Sequence, residues 1–153
     1  MKSNKPSQEC ANKVMDTVPL VMRFIRADMR ENSAASLSIP QLRSLAFLKR
    51  NPGASLSDIA EHLGVTCATA STTIERLVQR NFVQRTDNPQ ERRKVVLNLT
   101  DSGIQHLEQT QAETRTHIAD LLDGLMETEI AQIEKGLILL KNVFEQSEVK
   151  KAP

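Results

Sequence analysis

The sequence has few residues of the kinds that several functional classes require. Its 153 residues include no Trp, no Tyr and only four Phe, whereas proteins that bind single-stranded nucleic acid stack bases on aromatic side chains. The two cysteines, Cys10 and Cys67, are too few and too far apart for a disulfide framework or a zinc knuckle. No nucleophile elbow, glycine-rich phosphate loop or HExxH sequence occurs, so the sequence predicts no enzyme, cofactor or metal centre.

Long apolar runs are also missing. A membrane-spanning helix needs roughly 20 predominantly apolar residues, and the opening MKSNKPSQEC lacks the apolar segment of a signal peptide. The apolar share of 39% and the charged share of 25% are those of a globular domain. We therefore expect a cytoplasmic protein that makes no membrane contact.

Charge is distributed unevenly along the chain. The formal net charge is only +1, but residues 38–100 carry nine Lys or Arg against five Asp or Glu. Residues 101–148 carry three basic residues against ten acidic ones. Because a polyanion binds where positive charge is concentrated, residues 38–100 are the candidate segment for nucleic-acid contact.

Helical periodicity predicts long helices at both ends of the chain. Apolar residues recur at helical spacing over about 9–31, where Pro19 is expected to cause a kink or a restart. Two more helices are expected after Thr100, with apolar stripes that continue to Phe144. Such helices carry more apolar surface than the small middle segment can cover, so we expect a homodimer built from them.

The middle of the chain contains three shorter helices by its capping pattern. Their expected N-caps are Ser38, Ser55 and Thr66. Gly64 ends the second of these helices, because glycine readily adopts the positive φ of a helix end, and Asn81 is expected to do the same for the third.

A β-hairpin with a charged tip is expected next. Residues 82–86 and 94–99 have strand patterns and are joined by a polar run over 87–93. Helix, tight turn, helix and hairpin form a winged helix-turn-helix, whose second helix fits the major groove of duplex DNA. The hairpin then reaches phosphates or the adjacent minor groove.

We therefore predict a mainly α fold with a small β-hairpin wing, in which long terminal helices flank a winged helix-turn-helix. The expected parts are an N-terminal dimerisation helix over 1–37, the DNA-binding domain over 38–100, C-terminal dimerisation helices over 101–148 and a disordered tail over 149–153.

Residues 63–103 strongly resemble the multiple-antibiotic-resistance regulator (MarR) family of transcription factors. The shared elements are the LGV turn, the ERLVQR helix end, the Asn-Pro-x-acid-Arg-Arg wing tip and the LNLTDSG exit, and SIPQLRSLAFL resembles the family's second helix. The resemblance implies a homodimer on a pseudo-palindromic operator in double-stranded DNA. It also implies a regulator, more often a repressor, that a small lipophilic or phenolic effector releases from DNA. The sequence identifies neither the effector nor its binding residues.

The resemblance assigns site residues by position. The groove-facing part of the recognition helix corresponds to Thr66, Ala68, Thr69, Ser71, Thr72 and Arg76. Arg93 matches the wing arginine that enters the minor groove, and Glu91 matches the acid that orients it. Arg92 and Lys94 complete a cationic tip that we expect to contact DNA. The chain differs from the family in having Glu91 for Asp, Asn81 for Gly and Cys67 where many relatives have Arg.

Several residues allow two interpretations. Cys10 and Cys67 are either inert thiols or oxidant sensors, the latter because Cys67 lies at a helix N-terminus, a position that favours reactive thiolates. His106 and His117 are surface residues or zinc ligands. Arg85 is expected to contact a phosphate or to pair within the wing, with Asp87 or Glu91.

Three alternative functions stay open. An oxidant-responsive regulator of the same fold would use one of the cysteines. A winged-helix protein-interaction module without DNA binding would expose large apolar side chains on the outward face of the recognition helix. A non-specific architectural DNA binder would need more positive charge than +1.

Overall fold

The computed structural model describes the backbone of residues 5–88 and 91–151 and the side chains of residues 5–87 and 95–148. In chain order its elements are α1 (Pro6–Asn32), α2 (Ile39–Arg50), α3 (Leu56–Leu63), α4 (Cys67–Gln79), β1 (Val83–Asn88), β2 (Glu91–Leu99), α5 (Asp101–Leu122) and α6 (Glu127–Lys151). This order confirms the predicted mainly helical fold with a small β-hairpin wing. Among the described residues, no helix has both the length and the apolar character to cross a membrane.

The chain divides into two compact units, residues 1–114 and 115–153, with the boundary inside α5. The first unit contains α1 to α4, both strands and the first part of α5. The second contains the end of α5 and α6. All the candidate DNA-binding residues belong to the first unit.

The first helix, α1, is continuous through Pro19, so of the kink or restart expected there the restart is wrong, and the kink stays a prediction. A proline inside a helix lacks one backbone donor, and a helix of 27 residues has many other hydrogen bonds. The helix begins at Pro6, before the expected residue 9. Proline is favourable in a first turn because an N–H there has no partner inside the helix.

The caps around the middle helices follow the sequence prediction. Ser38 Oγ accepts a hydrogen bond from the Gln41 backbone N–H at 3.3 Å, and the Gln41 side chain accepts one from the Ser38 N–H at 2.8 Å. This is the predicted capping box. Gly64 and Asn81 have φ values of 70° and 62°, the left-handed conformation that ends α3 and α4.

The core of the first unit lies between α2, α3, α4 and the wing, and α1 and the first part of α5 each contribute to it. The residues predicted to face inward on α4, namely Ala70, Ile74 and Leu77, are fully buried. The other largest buried apolar side chains are Leu37, Leu45, Leu48, Ile59, Val83, Leu97 and Leu107. Because one stripe of α4 is buried, the opposite face of that helix is left exposed.

The strands of the wing are longer than predicted. They pair antiparallel, with Val83 opposite Leu99 and Asp87 opposite Val95. Both strands therefore extend into residues 87–93, which the sequence predicts as a connection. That boundary is wrong because ladder hydrogen bonds join backbone groups, so polar side chains do not prevent pairing.

The base of the wing is also attached to the loop between α2 and α3. The Gly53 N–H donates to the Leu97 carbonyl at 3.0 Å, and the Leu97 N–H donates to the Ala54 carbonyl at 2.9 Å. Leu97 thus lies between β1 on one side and this loop on the other.

Candidate nucleic-acid interface

The outward face of α4 carries the residues expected to face the DNA groove. Of these, Thr66, Ala68, Thr69, Thr72 and Arg76 are exposed and Ser71 is half-buried. They lie opposite the buried stripe of α4, so that stripe determines their orientation. Their contact with DNA stays a prediction.

Hydroxyl groups on this face are engaged within the helix. Thr66 Oγ1, the N-cap, accepts from the Thr69 N–H at 3.2 Å and lies 3.1 Å from Thr69 Oγ1, to which it donates. Thr72 Oγ1 donates to the Ala68 carbonyl at 3.2 Å. The hydroxyl hydrogens of Thr66 and Thr72 are therefore used in hydrogen bonds within α4 and its cap, and their oxygens keep acceptor capacity.

Arg76 lies where two surface clefts meet. One cleft is lined by Ser38, Pro40, Gln41, Thr69, Thr72, Thr73 and Arg76, and the other by Ser71, Thr72, Glu75, Arg76 and Gln79. The N-terminus of α2 is thus adjacent to the recognition helix. The sequence predicts only a capping role for Ser38 and Gln41, because their proximity to α4 is a tertiary relationship.

An ion pair joins the recognition helix to the wing. Arg85 Nη2 donates to Glu75 Oε2 at 2.9 Å. The sequence predicts Asp87 or Glu91 as the acidic partner of Arg85 within the wing. The partner in this contact is Glu75, which lies on α4. Both partners are substantially exposed, so the pair contributes little to folding stability. Its effect is to neutralise the acidic group on the outward face of α4.

The wing residues Glu91 and Arg93, assigned by resemblance, and the cationic residues Arg92 and Lys94 beside them belong to β2 by their backbone. Their side chains lie outside the described residues. The expected contact of the cationic tip with DNA and the orientation of Arg93 by Glu91 remain predictions.

Both cysteines are free and exposed. Cys67 is the first residue of α4, next to groove-facing positions. His106 is half-buried, forms a hydrogen bond with Ser33 Oγ at 3.0 Å and stacks on Phe82 with ring centroids 5.0 Å apart. No cluster of three His, Cys, Asp or Glu side chains suited to a metal occurs in the part of the chain that the structure describes.

A cavity of about 410 Å³ lies in the first unit, between α1 and α2. Most of its lining surface is apolar. Cationic side chains and His62 also line it. The sequence did not reveal this cavity, because its apolar residues have the same helical spacing as core residues. No signal in the sequence distinguishes residues that line a cavity from residues of the packed core.

Comparison with known proteins agrees with this geometry. Residues 37–95 match the sequence profile of the MarR family. The HTH-type transcriptional repressor MdtR of Bacillus subtilis is 30% identical over 129 residues, which cover 84% of this chain and 83% of the relative.

Solved structures have the same fold. The YusO protein of Bacillus subtilis is 27% identical, with a TM-score of 0.66 over 90% of this chain and 99% of that protein. FabT of Streptococcus pneumoniae, solved in complex with DNA, is 24% identical, with a TM-score of 0.62 over 92% and 98%. The profile match and the similarity to MdtR over most of both chains establish that this chain belongs to the MarR family of DNA-binding transcriptional regulators, which are not enzymes.

Proposed function

We propose that the chain is a sequence-specific repressor of transcription that binds a pseudo-palindromic DNA operator as a homodimer in the cytoplasm. The outward face of α4 carries this proposal, because it exposes small polar side chains and Arg76 above a fully buried stripe. A helix with such a face can approach base edges closely in the major groove. The absence of large apolar side chains on this fully described face argues against a protein-interaction module.

Exposed apolar residues support the homodimer. In α1, Met15 is 73% exposed and Leu20 is 57% exposed. In α6, the exposed fractions are 59% for Leu137, 63% for Val143 and 56% for Phe144. Apolar surface of this kind marks an association site, and a two-fold pair would present two recognition helices to two half-sites.

Three observations support DNA binding, repression and release by an effector. The relative MdtR is named a transcriptional repressor, and FabT, of the same fold, has been crystallised with DNA. The cavity between α1 and α2 is large enough for a small lipophilic or phenolic molecule. Such a molecule releases DNA only if it binds more tightly to a conformation that fits the operator less well.

A second candidate is an oxidant-responsive regulator of the same fold. The exposure of Cys67 at the start of α4 favours it. An oxidised or conjugated Cys67 would place a bulky or charged group beside the groove-facing residues and block their approach to DNA.

The test is DNA binding by the reduced full-length protein. Fragment selection from the source genome identifies the bound sequence, and a labelled copy is then titrated in the presence of excess random duplex. Binding by two chains per site that survives the competitor supports the proposal. Binding that the competitor abolishes would instead identify a non-specific architectural protein.

Two substitutions connect this binding to the site. Arg76→Ala and Arg93→Ala are each expected to weaken operator binding by about 1–3 kcal/mol while the fold and the dimer persist. Arg23→Ala is the matched control, because Arg23 is an exposed arginine of α1 away from α4. If Arg76→Ala and Arg93→Ala bind the operator as tightly as the control Arg23→Ala does, then α4 and the wing are not part of the DNA interface.

A further inference from the structure

One histidine connects three parts of the first unit. His106 lies in α5, and its Nε2 is 3.0 Å from Oγ of Ser33, which follows α1. Its ring stacks on Phe82, between α4 and β1, with ring centroids 5.0 Å apart and an interplanar angle of 16°. His106 therefore contacts both the end of a long terminal helix and the connection that leaves the recognition helix. We call Ser33, Phe82 and His106 the junction.

Phe82 is attached to the recognition helix through its backbone. Its N–H donates to the Leu77 carbonyl of α4 at 2.9 Å, and its carbonyl accepts from the Thr100 N–H at 3.1 Å. Thr100 Oγ1 in turn donates to the Asn81 carbonyl at 2.6 Å. A change in the packing of the Phe82 ring is therefore one hydrogen bond away from the last turns of α4.

Ser33 has a corresponding position beside α1. It is buried, and its Oγ accepts from the Leu37 N–H at 3.1 Å, a bond that stabilises the turn between α1 and α2. A hydroxyl group can both donate and accept. Ser33 can therefore donate to the neutral ring of His106 or accept from the protonated ring. Because this bond can form in both states, protonation changes mainly the charge within the junction.

A positive charge is unfavourable at His106. Arg80 lies over the Phe82 ring, with its Cζ 5.8 Å from the ring centroid, so a protonated His106 would be a second cation against the same ring. Burial, followed by the charge of Arg80, lowers the pKa of His106, and no carboxylate of the described residues contributes to this shift. The groups of Ser33 and Phe82 that face the ring are uncharged. The junction therefore favours the neutral ring.

We infer that His106 is a proton-sensitive positioning residue of the recognition helix, whose neutral ring holds Phe82 in place for DNA binding and whose protonation in mild acid loosens this contact and weakens operator binding. The inference rests on the proposed function, because it concerns affinity for the operator. The chemical step is the addition of a proton from solvent to the unprotonated ring nitrogen. Its direction is distinctive, since added positive charge by itself strengthens binding to a polyanion.

The size of the effect follows from linkage between protonation and binding. A charged ring that leaves the junction regains solvent, and its pKa returns towards the ordinary value of 6.5. If DNA binding requires the neutral ring, each chain loses at most about tenfold in affinity one pH unit below this value. We therefore expect the wild type to bind its operator at least about threefold more weakly at about pH 5.5 than at pH 7.5.

The measurement is fluorescence anisotropy of the full-length protein on its operator at these two pH values and constant salt. In His106→Gln, whose side chain does not titrate, we expect the loss of affinity in acid to disappear. His117→Gln is the matched control, because His117 is an exposed histidine of the same helix, and it should lose affinity in acid as the wild type does. A loss that is equal in the wild type and in His106→Gln would overturn the inference.

A second measurement uses the wild type alone, so it decides the question even if His106→Gln does not fold. Amide hydrogen exchange reports local opening. Protection of the Phe82 and Leu37 N–H groups should fall in acid more than that of Ile74, which lies in the buried stripe of α4. If the protection of all three groups changes alike, the junction does not open on protonation and the inference is wrong.

The outcomes separate this inference from the proposed function. Operator binding whose pH dependence does not involve His106 would refute the inference alone. Exchange that becomes faster at the junction in acid, in a protein that binds no operator, would refute the proposed function and leave the proton-sensitive contact between His106 and Phe82 standing.

Discussion

Arg85 of the wing neutralises Glu75 of the recognition helix, with 2.9 Å between Nη2 and Oε2. Glu75 is the single acidic residue of α4, and it lines the same surface cleft as Arg76 and Gln79. An unpaired carboxylate there would repel DNA phosphates. We therefore expect the pair to affect DNA binding more than folding.

The Glu75–Arg85 relationship gives a double-mutant prediction. Arg85→Gln is expected to weaken operator binding by about 1 kcal/mol, because it leaves Glu75 charged and unpaired near phosphates. The double variant Glu75→Gln, Arg85→Gln should recover part of this loss. Fluorescence anisotropy at two salt concentrations measures both. A double variant that binds as weakly as Arg85→Gln would show that Arg85 contacts phosphate directly.

Gly103 provides a prediction about stability. A Cβ at Gly103 would overlap the carbonyl oxygen of Phe82, which is a backbone atom and cannot simply rotate away. We expect Gly103→Ala to lower the free energy of unfolding by about 1–3 kcal/mol. At Gly136 of α6 the same change meets no atom within 4 Å and should stabilise the helix by about 0.5–1 kcal/mol.

Urea unfolding compares the two glycine variants at a fixed protein concentration, since the stability of the proposed dimer would depend on concentration. If Gly103→Ala is as stable as the wild type, the start of α5 does not need to lie this close to Phe82. The tight approach gives a physical reason for glycine in the LNLTDSG segment.

The pH dependence of stability follows from His106. Burial, followed by the charge of Arg80, lowers its pKa from the ordinary value of 6.5. The unfolded chain therefore takes up a proton at higher pH than the folded protein does. Between the two pKa values the unfolded state binds more protons, so the free energy of unfolding falls as pH drops below 6.5. His62, whose pKa is also lowered, acts in the same direction.

We expect His106→Gln to reduce the slope of the free energy of unfolding against pH as the pH is lowered from 7.5. Chemical unfolding at a series of pH values measures this slope. The variant also loses the present ring stacking on Phe82 and alters the hydrogen bond with Ser33, so its stability at neutral pH should fall too. A slope equal to that of the wild type would assign the pH dependence to other groups.

Cys67 gives a prediction for the oxidant-responsive alternative. If this function is correct, mild peroxide should weaken operator binding, and Cys67→Ser should abolish the response because its side chain cannot form a sulfenic acid. Cys10→Ser is the matched control, since Cys10 is also an exposed free cysteine but lies in α1. Unchanged binding after oxidation of the wild type would exclude this alternative.

Local sequence patterns predicted the parts of this fold that depend on neighbours in the chain. The capping box of Ser38 and Gln41, the left-handed Asn81 and the buried position of Ile74 each follow from spacing or backbone preference within one or two helical turns. The family resemblance, in turn, rested on one continuous segment, residues 63–103.

Relationships between distant segments could not be predicted in this way. The partner of Arg85 is ten positions away on another element, and both carboxylates closer in sequence were reasonable alternatives. The residues that line the cavity, such as Met22 and Ile25, have the spacing of core residues. Only the positions of neighbouring helices determine whether such side chains meet protein atoms or empty space.

The attachment of Leu97 to Gly53 and Ala54 has a consequence for protein engineering. Since both edges of β2 are paired at Leu97, the inner half of the hairpin is fixed to the helical body. Residues inserted symmetrically beyond Val95 and Asp87 should lengthen the hairpin without disturbing the recognition helix. If the proposed dimer binds DNA as inferred above, we therefore expect that the reach of each hairpin can be redesigned separately from the outward face of α4.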